Sequence, residues 1–75
     1  MQEYEVIREI YNACSGKWEV DNSFTREIQT DSIERTMQDW FKGKLPPHQV
    51  DTLPDGTVAY VLDPPQRERY SFTTF

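Results

Sequence analysis

The pair Asp55-Gly56 is the feature of this 75-residue sequence that most constrains its fold. Glycine tolerates a positive φ, and an aspartate before it can accept a hydrogen bond from its own backbone, so the pair favours a tight chain reversal. β-Branched and apolar residues flank the pair at 50–53 and 57–62, and Pro54 restrains the approach to the turn. The two flanking runs therefore predict the strands of a β-hairpin.

The segment 32–42 carries the signals of a helix. Asp31 precedes it as a capping residue, and Glu34 stands three positions later, where its side chain can reach back to the cap. Gly43 and the proline pair at 46–47 then end the helix. Apolar residues at helical spacing predict a buried stripe made of Ile33, Met37, Trp40 and Phe41.

Two further segments alternate between polar and apolar residues with the period of a β-strand. Residues 24–30 form the first, and residues 67–75 form the second, with Tyr70 and Phe72 on one side. We expect the second segment to pair with the strand that precedes it. Its terminal part, 70–75, is predicted to form an exposed edge of the sheet.

Residues 3–14 fit two interpretations. Apolar side chains between Val6 and Cys14 recur at helical spacing, whereas Tyr4 and Val6 begin a stripe with the period of a strand. If the segment is a strand, residues 15–23 become a long loop and the element order is ββαβββ. If it is a helix, two helices pack on four strands. Both alternatives are α+β folds with a small antiparallel sheet of four to five strands.

Length and composition predict a single compact domain spanning residues 1–75. A chain of this size buries only roughly 60% of the surface that its unfolded form exposes, so its core is thin. Because the sequence begins with Met1, we expect a complete small protein. Aromatic side chains bury large areas each, and we expect them to build the core: Tyr11, Phe24, Trp40, Phe41, Tyr60, Tyr70 and Phe72.

The net charge and the cysteine content limit the classes of binding partner and the cellular compartment that we expect for this protein. Thirteen acidic residues against eight basic ones give a net charge of -5, which opposes binding to nucleic acid and to anionic membranes. A single cysteine excludes an internal disulfide, which small secreted domains usually need. The first residues lack the basic start and apolar stretch typical of a signal peptide, and no apolar run reaches the roughly 20 residues that cross a bilayer, so we expect a protein that is not exported. These features predict a cytoplasmic protein.

Cys14 is the residue on which an enzymatic function would have to rest. Lys17 lies three residues further on and could favour the thiolate, and His48 could serve as its base if the fold brings the two together. One imidazole and one thiol fall short of the four ligands of a structural zinc site, so we expect neither a metal nor a cofactor. A thiol-dependent or ligand-binding accessory enzyme centred on Cys14 is therefore the alternative function.

Trp18, Arg67 and Arg69 are the candidate binding residues. Trp18 lies in the polar stretch 16–23, and exposed aromatic residues are common in binding surfaces. Arg67 and Arg69 flank Glu68 and share one face at the period of a strand, where they could hold an anion. We therefore expect a non-enzymatic protein-protein interaction module, which binds another protein or self-associates through a sheet edge. Nucleic-acid binding by stacking on this surface is a third, disfavoured hypothesis.

Overall fold

The computed structural model describes residues 2–64 and 66–74 and has the element order ββαβββ. All five strands belong to one antiparallel sheet in the order β2-β1-β5-β4-β3. The domain is therefore α+β, and residues 3–14 lie in a strand and its turn, not in a second helix. The elements are β1 (Gln2–Asn12), β2 (Lys17–Thr30), α1 (Ile33–Trp40), β3 (His48–Thr52), β4 (Val58–Leu62) and β5 (Glu68–Thr74).

The last strand lies at the centre of the sheet. β5 pairs with β4 on one side, as the sequence predicts, and with β1 on the other, from Tyr4 opposite Thr74 to Ile10 opposite Glu68. The prediction that residues 70–75 form an exposed edge is therefore wrong for the described part, and Phe75 lies outside the described residues. The pairing of β1 with β5 brings together the first and last strands of the chain, and no pattern of neighbouring residues predicts this contact. The strands at the edges are β2 and β3.

The turn at Asp55-Gly56 has the geometry that the sequence predicts. Gly56 has a φ of +92°, and the backbone N–H of Thr57 donates to Asp55 Oδ1 at 2.9 Å. That hydrogen bond also holds the pKa of Asp55 below its usual value. Leu53 N–H donates to the carbonyl of Thr57 at 2.8 Å and closes the hairpin between β3 and β4.

The connection between the first two strands is much shorter than predicted. The prediction of a long loop over residues 15–23 is wrong, because the turn occupies only residues 13–16 and β2 begins at Lys17. Residues 17–21 alternate between charged and apolar side chains, which is itself the pattern of a strand, and the prediction of a loop overlooked it. The side chain of Asn12 accepts hydrogen bonds from the backbone within this turn, and Gly16 takes a φ of +68°.

The pairing of β1 with β2 is interrupted at one point. Ile7 lies opposite Thr25 and Glu9 lies opposite Val20, so residues 21–24 stand opposite Arg8 alone. Such an insertion bends the strand and removes part of its backbone from the ladder. β2 is therefore an irregular edge.

Helix α1 is shorter than the predicted 32–42 and is capped by a different residue. Ser32, not Asp31, is the N-cap, because its hydroxyl accepts a hydrogen bond from the N–H of Arg35 at 3.2 Å. At the other end, Gly43 N–H donates to the carbonyl of Gln38 at 2.7 Å, and Gly43 has the left-handed φ that the sequence predicts, +78°. This hydrogen bond is that of a Schellman motif.

The helix packs on one face of the sheet and builds the core there. Met37 is fully buried from the helix side, and Val6, Leu62 and Phe72 are fully buried from the sheet. We call this the core face. The predicted core aromatics lie on this face with the exception of Tyr11, which lies on the opposite face. Trp40 stacks on Phe72 at 5.9 Å between ring centroids but is 36% exposed, so it borders the core and is not buried in it.

Candidate functional site on the open sheet face

The face of the sheet opposite α1 carries an unusual set of side chains at one end. Residues that are directly paired across an antiparallel ladder project to the same face, which groups Tyr11 with Trp18 and Arg69 with both Glu9 and Val61. No helix of the described chain covers this face. We call it the open face.

Tyr11, Trp18, Arg67 and Arg69 form what we call the aromatic-arginine cluster. The rings of Tyr11 and Trp18 meet edge to face, with centroids 5.5 Å apart and an interplanar angle of 71°. The Arg67 guanidinium carbon lies 5.2 Å from the centroid of Tyr11, and that of Arg69 lies 4.7 Å from Trp18. Aromatic pairing and cation-π contacts each contribute about 0.5–1 kcal/mol at such partly exposed positions. The cluster therefore brings together all three binding residues expected from the sequence.

The two arginines of the cluster differ in their availability. Arg69 makes two parallel hydrogen bonds with the carboxylate of Glu9, at 2.9 and 2.8 Å, which neutralises its charge and fixes its orientation. Arg67 is exposed and belongs to none of the ion pairs found among residues 2–64 and 66–74. The guanidinium of Arg67 can therefore form an ion pair with a ligand, whereas that of Arg69 packs against the Trp18 ring.

The backbone of Arg67 has a conformation that is costly for an arginine. Its φ is +44°, in the left-handed region, which costs a residue with a Cβ roughly 1–2 kcal/mol. Its carbonyl accepts a hydrogen bond from Tyr11 N–H at 3.1 Å, which continues the ladder between β1 and β5 beyond Glu68. Glycine would suit this position better for folding alone. Strained residues of this kind are concentrated at functional sites.

A groove of about 260 Å³ runs beside the cluster. Tyr11, Trp18 and Arg67 of the cluster line it together with residues of β3, of β4 and of the segment after β4: Gln49, Val61, Leu62, Asp63 and Pro64. Small-molecule sites usually occupy about 300–1,000 Å³, so this groove suits one or two side chains of a larger ligand. It combines apolar surface with charges of both signs.

The other end of the open face is acidic. A second cavity of about 300 Å³ is lined by Glu3, Glu27, Ile28 and Gln29, and Glu5 lies directly opposite Glu27. Like charges in that arrangement repel each other. The open face is therefore polarised, with carboxylates near the start of β1 and the exposed Arg67 near its end.

The core face ends in a polar network around Arg8 that has a structural explanation. Arg8 Nε donates to Tyr70 Oη at 3.1 Å, Tyr70 Oη donates to Glu68 at 2.9 Å, and Arg8 also pairs with Asp21. Burial, reinforced by the hydrogen bond to Glu68, raises the pKa of Tyr70 to about 12. Hydrogen bonds from Ser23, followed by the contact with Arg8, hold the pKa of Asp21 below its usual value. The network ties the irregular part of β2 to the centre of the sheet.

The fold separates His48 from Cys14 and Lys17, the other two residues of the predicted thiol site. Cys14 is exposed in the β1–β2 turn, and Lys17 is exposed at the start of β2. His48 is on the opposite edge strand, where its ring stacks on Tyr60 at 5.3 Å and its Nδ1 donates to the carbonyl of Pro46 at 2.9 Å. β5 and β4 lie between β1 and β3, a lateral separation of roughly 14 Å.

Sequence reasoning missed Tyr11, Glu9 and the residues that β3 and β4 contribute to the groove. Tyr11 was expected in the core because it joins the helical stripe of residues 3–14. The turn formers Asn12 and Gly16 carried the corrective signal, because a hairpin centred on them places Tyr11 opposite Trp18. The contribution of Gln49 depends on strand order, which had no local signal.

The remaining structural findings and comparisons name no chemistry for the site. Among the described residues, no three of His, Cys, Asp and Glu are arranged to hold a metal ion. No helix in the same part of the chain is long and apolar enough to cross a membrane. No known protein family, curated protein or solved structure matches this chain.

Proposed function

We propose that this chain is a cytoplasmic, non-enzymatic interaction module that binds an extended segment of a partner protein at the aromatic-arginine cluster. The observation that carries the proposal is the pairing of Tyr11 and Trp18 beside Arg67, which forms no ion pair with a described residue, on a sheet face that α1 leaves uncovered. Aromatic residues and arginine dominate the binding energy of protein interfaces. The exposed, unpaired thiol of Cys14 suits a reducing compartment.

The shape and charge of the groove support a particular kind of segment. Its volume of about 260 Å³ accepts an apolar side chain over Val61 and beside Trp18. A carboxylate on the same segment would pair with Arg67 at the rim of the groove, where the guanidinium is not otherwise engaged in an ion pair with a described residue. The acidic opposite end of the open face would repel a longer acidic segment. The proposed ligand is therefore a short segment with one apolar anchor and one acidic residue.

The alternative function receives less support. A catalytic pair of Cys14 and His48 requires the two side chains to meet, and roughly three strand spacings separate β1 from β3. Nucleic-acid binding requires a concentration of positive charge, whereas Glu9 neutralises Arg69 and the chain has a net charge of -5.

Differential capture followed by titration tests the proposal. Wild-type protein, Trp18→Ala, Arg67→Ala and a control, Thr25→Ala, are used to recover and identify partners from cell extract, after circular dichroism has verified folding. Thr25 is exposed, on the same strand and face as Trp18, and outside the cluster. We expect one identified partner to bind wild type and Thr25→Ala alike, and its purified segment to bind Trp18→Ala about tenfold or more weakly, which is about 1.4 kcal/mol. Equal affinities for all four proteins would rule the proposal out.

A further inference from the structure

β3 is an edge strand of the sheet, and none of its residues belongs to the aromatic-arginine cluster. We propose that β3 joins β3 of a second copy in antiparallel pairing centred on Val50, which extends the sheet across a twofold axis. The juxtaposition would place both α1 helices on the same side of the joined sheet.

The hydrogen bonds at the two ends of β3 identify which backbone groups face outward. Leu53 N–H donates to Thr57 O at 2.8 Å, and the carbonyl of Pro47 accepts from Asp63 N–H at 2.9 Å, so odd-numbered residues direct their backbone groups toward β4. Directions alternate along an antiparallel strand. The N–H and C=O groups of His48, Val50 and Thr52 therefore point away from the sheet.

The sequence of β3 is complementary to itself about Val50. In a pairing centred there, Val50 meets Val50 of the copy, and His48 meets Thr52 on either side, so every outward residue of the strand forms a hydrogen-bonded pair. Gln49 then lies opposite Asp51, an amide beside a carboxylate. A shift of the centre by one residue loses one of these backbone pairs, and a shift toward Asp51 sets the two carboxylates against each other.

The two edges of the sheet differ in their protection against such pairing. β2 has the irregularity at residues 21–24 and carries charged residues along its length, both of which discourage edge-to-edge association. β3 contains Asp51 as its single acidic or basic residue other than His48, and its central Val50 is 50% exposed. A short strand buries little area compared with a standard interface, so we expect a weak dimer whose formation depends on concentration.

Matched substitutions at the two edges test the pairing. Sedimentation equilibrium from micromolar to millimolar concentration should show reversible dimers for wild type. Val50→Lys sets two ammonium groups opposite each other and should abolish the dimer, whereas Val20→Lys, at an equally exposed valine on β2, should leave it intact. Gln49→Asp should weaken the dimer several-fold, because it faces Asp51 of the copy, and Gln49→Lys should strengthen it.

Disulfide trapping provides a second readout, because it accumulates as a covalent product even a dimer that is sparsely populated at equilibrium. Paired residues at a hydrogen-bonded position have Cα atoms about 5.5 Å apart, within the range of a disulfide. In a Cys14→Ser background, Val50→Cys should therefore oxidise to a covalent dimer more readily than Val20→Cys. A wild-type protein that stays monomeric up to millimolar concentration, or a Val20 variant that behaves like its Val50 counterpart, would overturn the proposal.

Discussion

Substitutions at Arg67 measure how much folding stability the protein loses by having an arginine with a left-handed backbone at this position. With φ at +44°, any side chain with a Cβ loses roughly 1–2 kcal/mol there relative to glycine. Glycine in turn loses about 0.5–1 kcal/mol more conformational entropy on folding than alanine. Arg67→Gly should therefore be more stable than Arg67→Ala by about 0.5–1 kcal/mol, the reverse of the order at an ordinary strand position.

The comparison with wild type adds the loss of the side chain itself. Both variants remove the contact of the guanidinium with the Tyr11 ring, worth about 0.5–1 kcal/mol at an exposed site. We therefore expect Arg67→Ala to be less stable than wild type by about that amount and Arg67→Gly to be close to wild type. Arg67→Ala and Arg67→Gly should bind the partner segment with the same reduced affinity, because both lack the guanidinium that pairs with its carboxylate.

Urea unfolding followed by circular dichroism gives the free energies of unfolding. In a domain of this size a difference of 1 kcal/mol corresponds to about 4–8 °C in Tm, so thermal melts resolve the order as well. If Arg67→Ala proved as stable as Arg67→Gly or more so, the left-handed conformation and the strain assigned to Arg67 would both be refuted.

Three further outcomes are expected. Ser32→Ala should lower the free energy of unfolding by about 1 kcal/mol while Asp31→Ala changes it little, because the N-cap hydrogen bond belongs to Ser32; equal effects in urea titrations would contradict that cap. Phe72→Ala should lower the free energy of unfolding by about 3–5 kcal/mol and Leu53→Ala by less than about 0.5 kcal/mol, because Phe72 is fully buried and Leu53 is 47% exposed. Equal melting temperatures for the two variants in calorimetry would contradict this burial. Because the folded-state pKa of Tyr70 is raised from 10.0 to about 12, the stability that Tyr70 contributes is complete below pH 10.0 and lost as the pH rises toward about 12. Tyr70→Phe should show a smaller loss of stability over that pH window in urea titrations, and an unchanged loss would argue against the shift.

Features that depend on neighbouring residues were predictable from the sequence. The turn at Asp55-Gly56 needs only a glycine at positive φ and an aspartate that accepts from Thr57. The helix stripe around Met37 and the left-handed Gly43 likewise follow from spacing within a few residues. The error at the cap, Asp31 in place of Ser32, is a displacement of one residue between two suitable side chains.

Features that depend on distant pairing were not predictable in this way. The position of β5 at the centre of the sheet follows from its contact with β1, which lies at the opposite end of the chain. Tyr11 lies on the open face for a local reason, because it is five residues from the buried Val6 in a regular strand and side chains alternate between the two faces. For the candidate site, the three residues named from the sequence were found together, but the groove beside them required the order of the strands.

The two faces of the sheet differ in how fully the rest of the chain covers them. Met37 and Phe72 bury the core face against α1, and the open face has no comparable cover from the described chain. The aromatic-arginine cluster has a strained backbone at Arg67 and half-buried rings beside a guanidinium that forms no ion pair with a described residue. Folding alone explains the core face well and the open face poorly, which is why we propose that binding occurs at the open face.

The two tryptophans provide the most direct test of that assignment. Trp18 lies on the open face and Trp40 packs against Phe72 on the core face, so each face has one indole N–H resonance. Titration of isotope-labelled protein with the captured segment should shift the Trp18 indole and the backbone amides of Tyr11 and Arg67, and should leave the Trp40 indole nearly unchanged. A shift of Trp40 with Trp18 unmoved would contradict the assignment of binding to the open face.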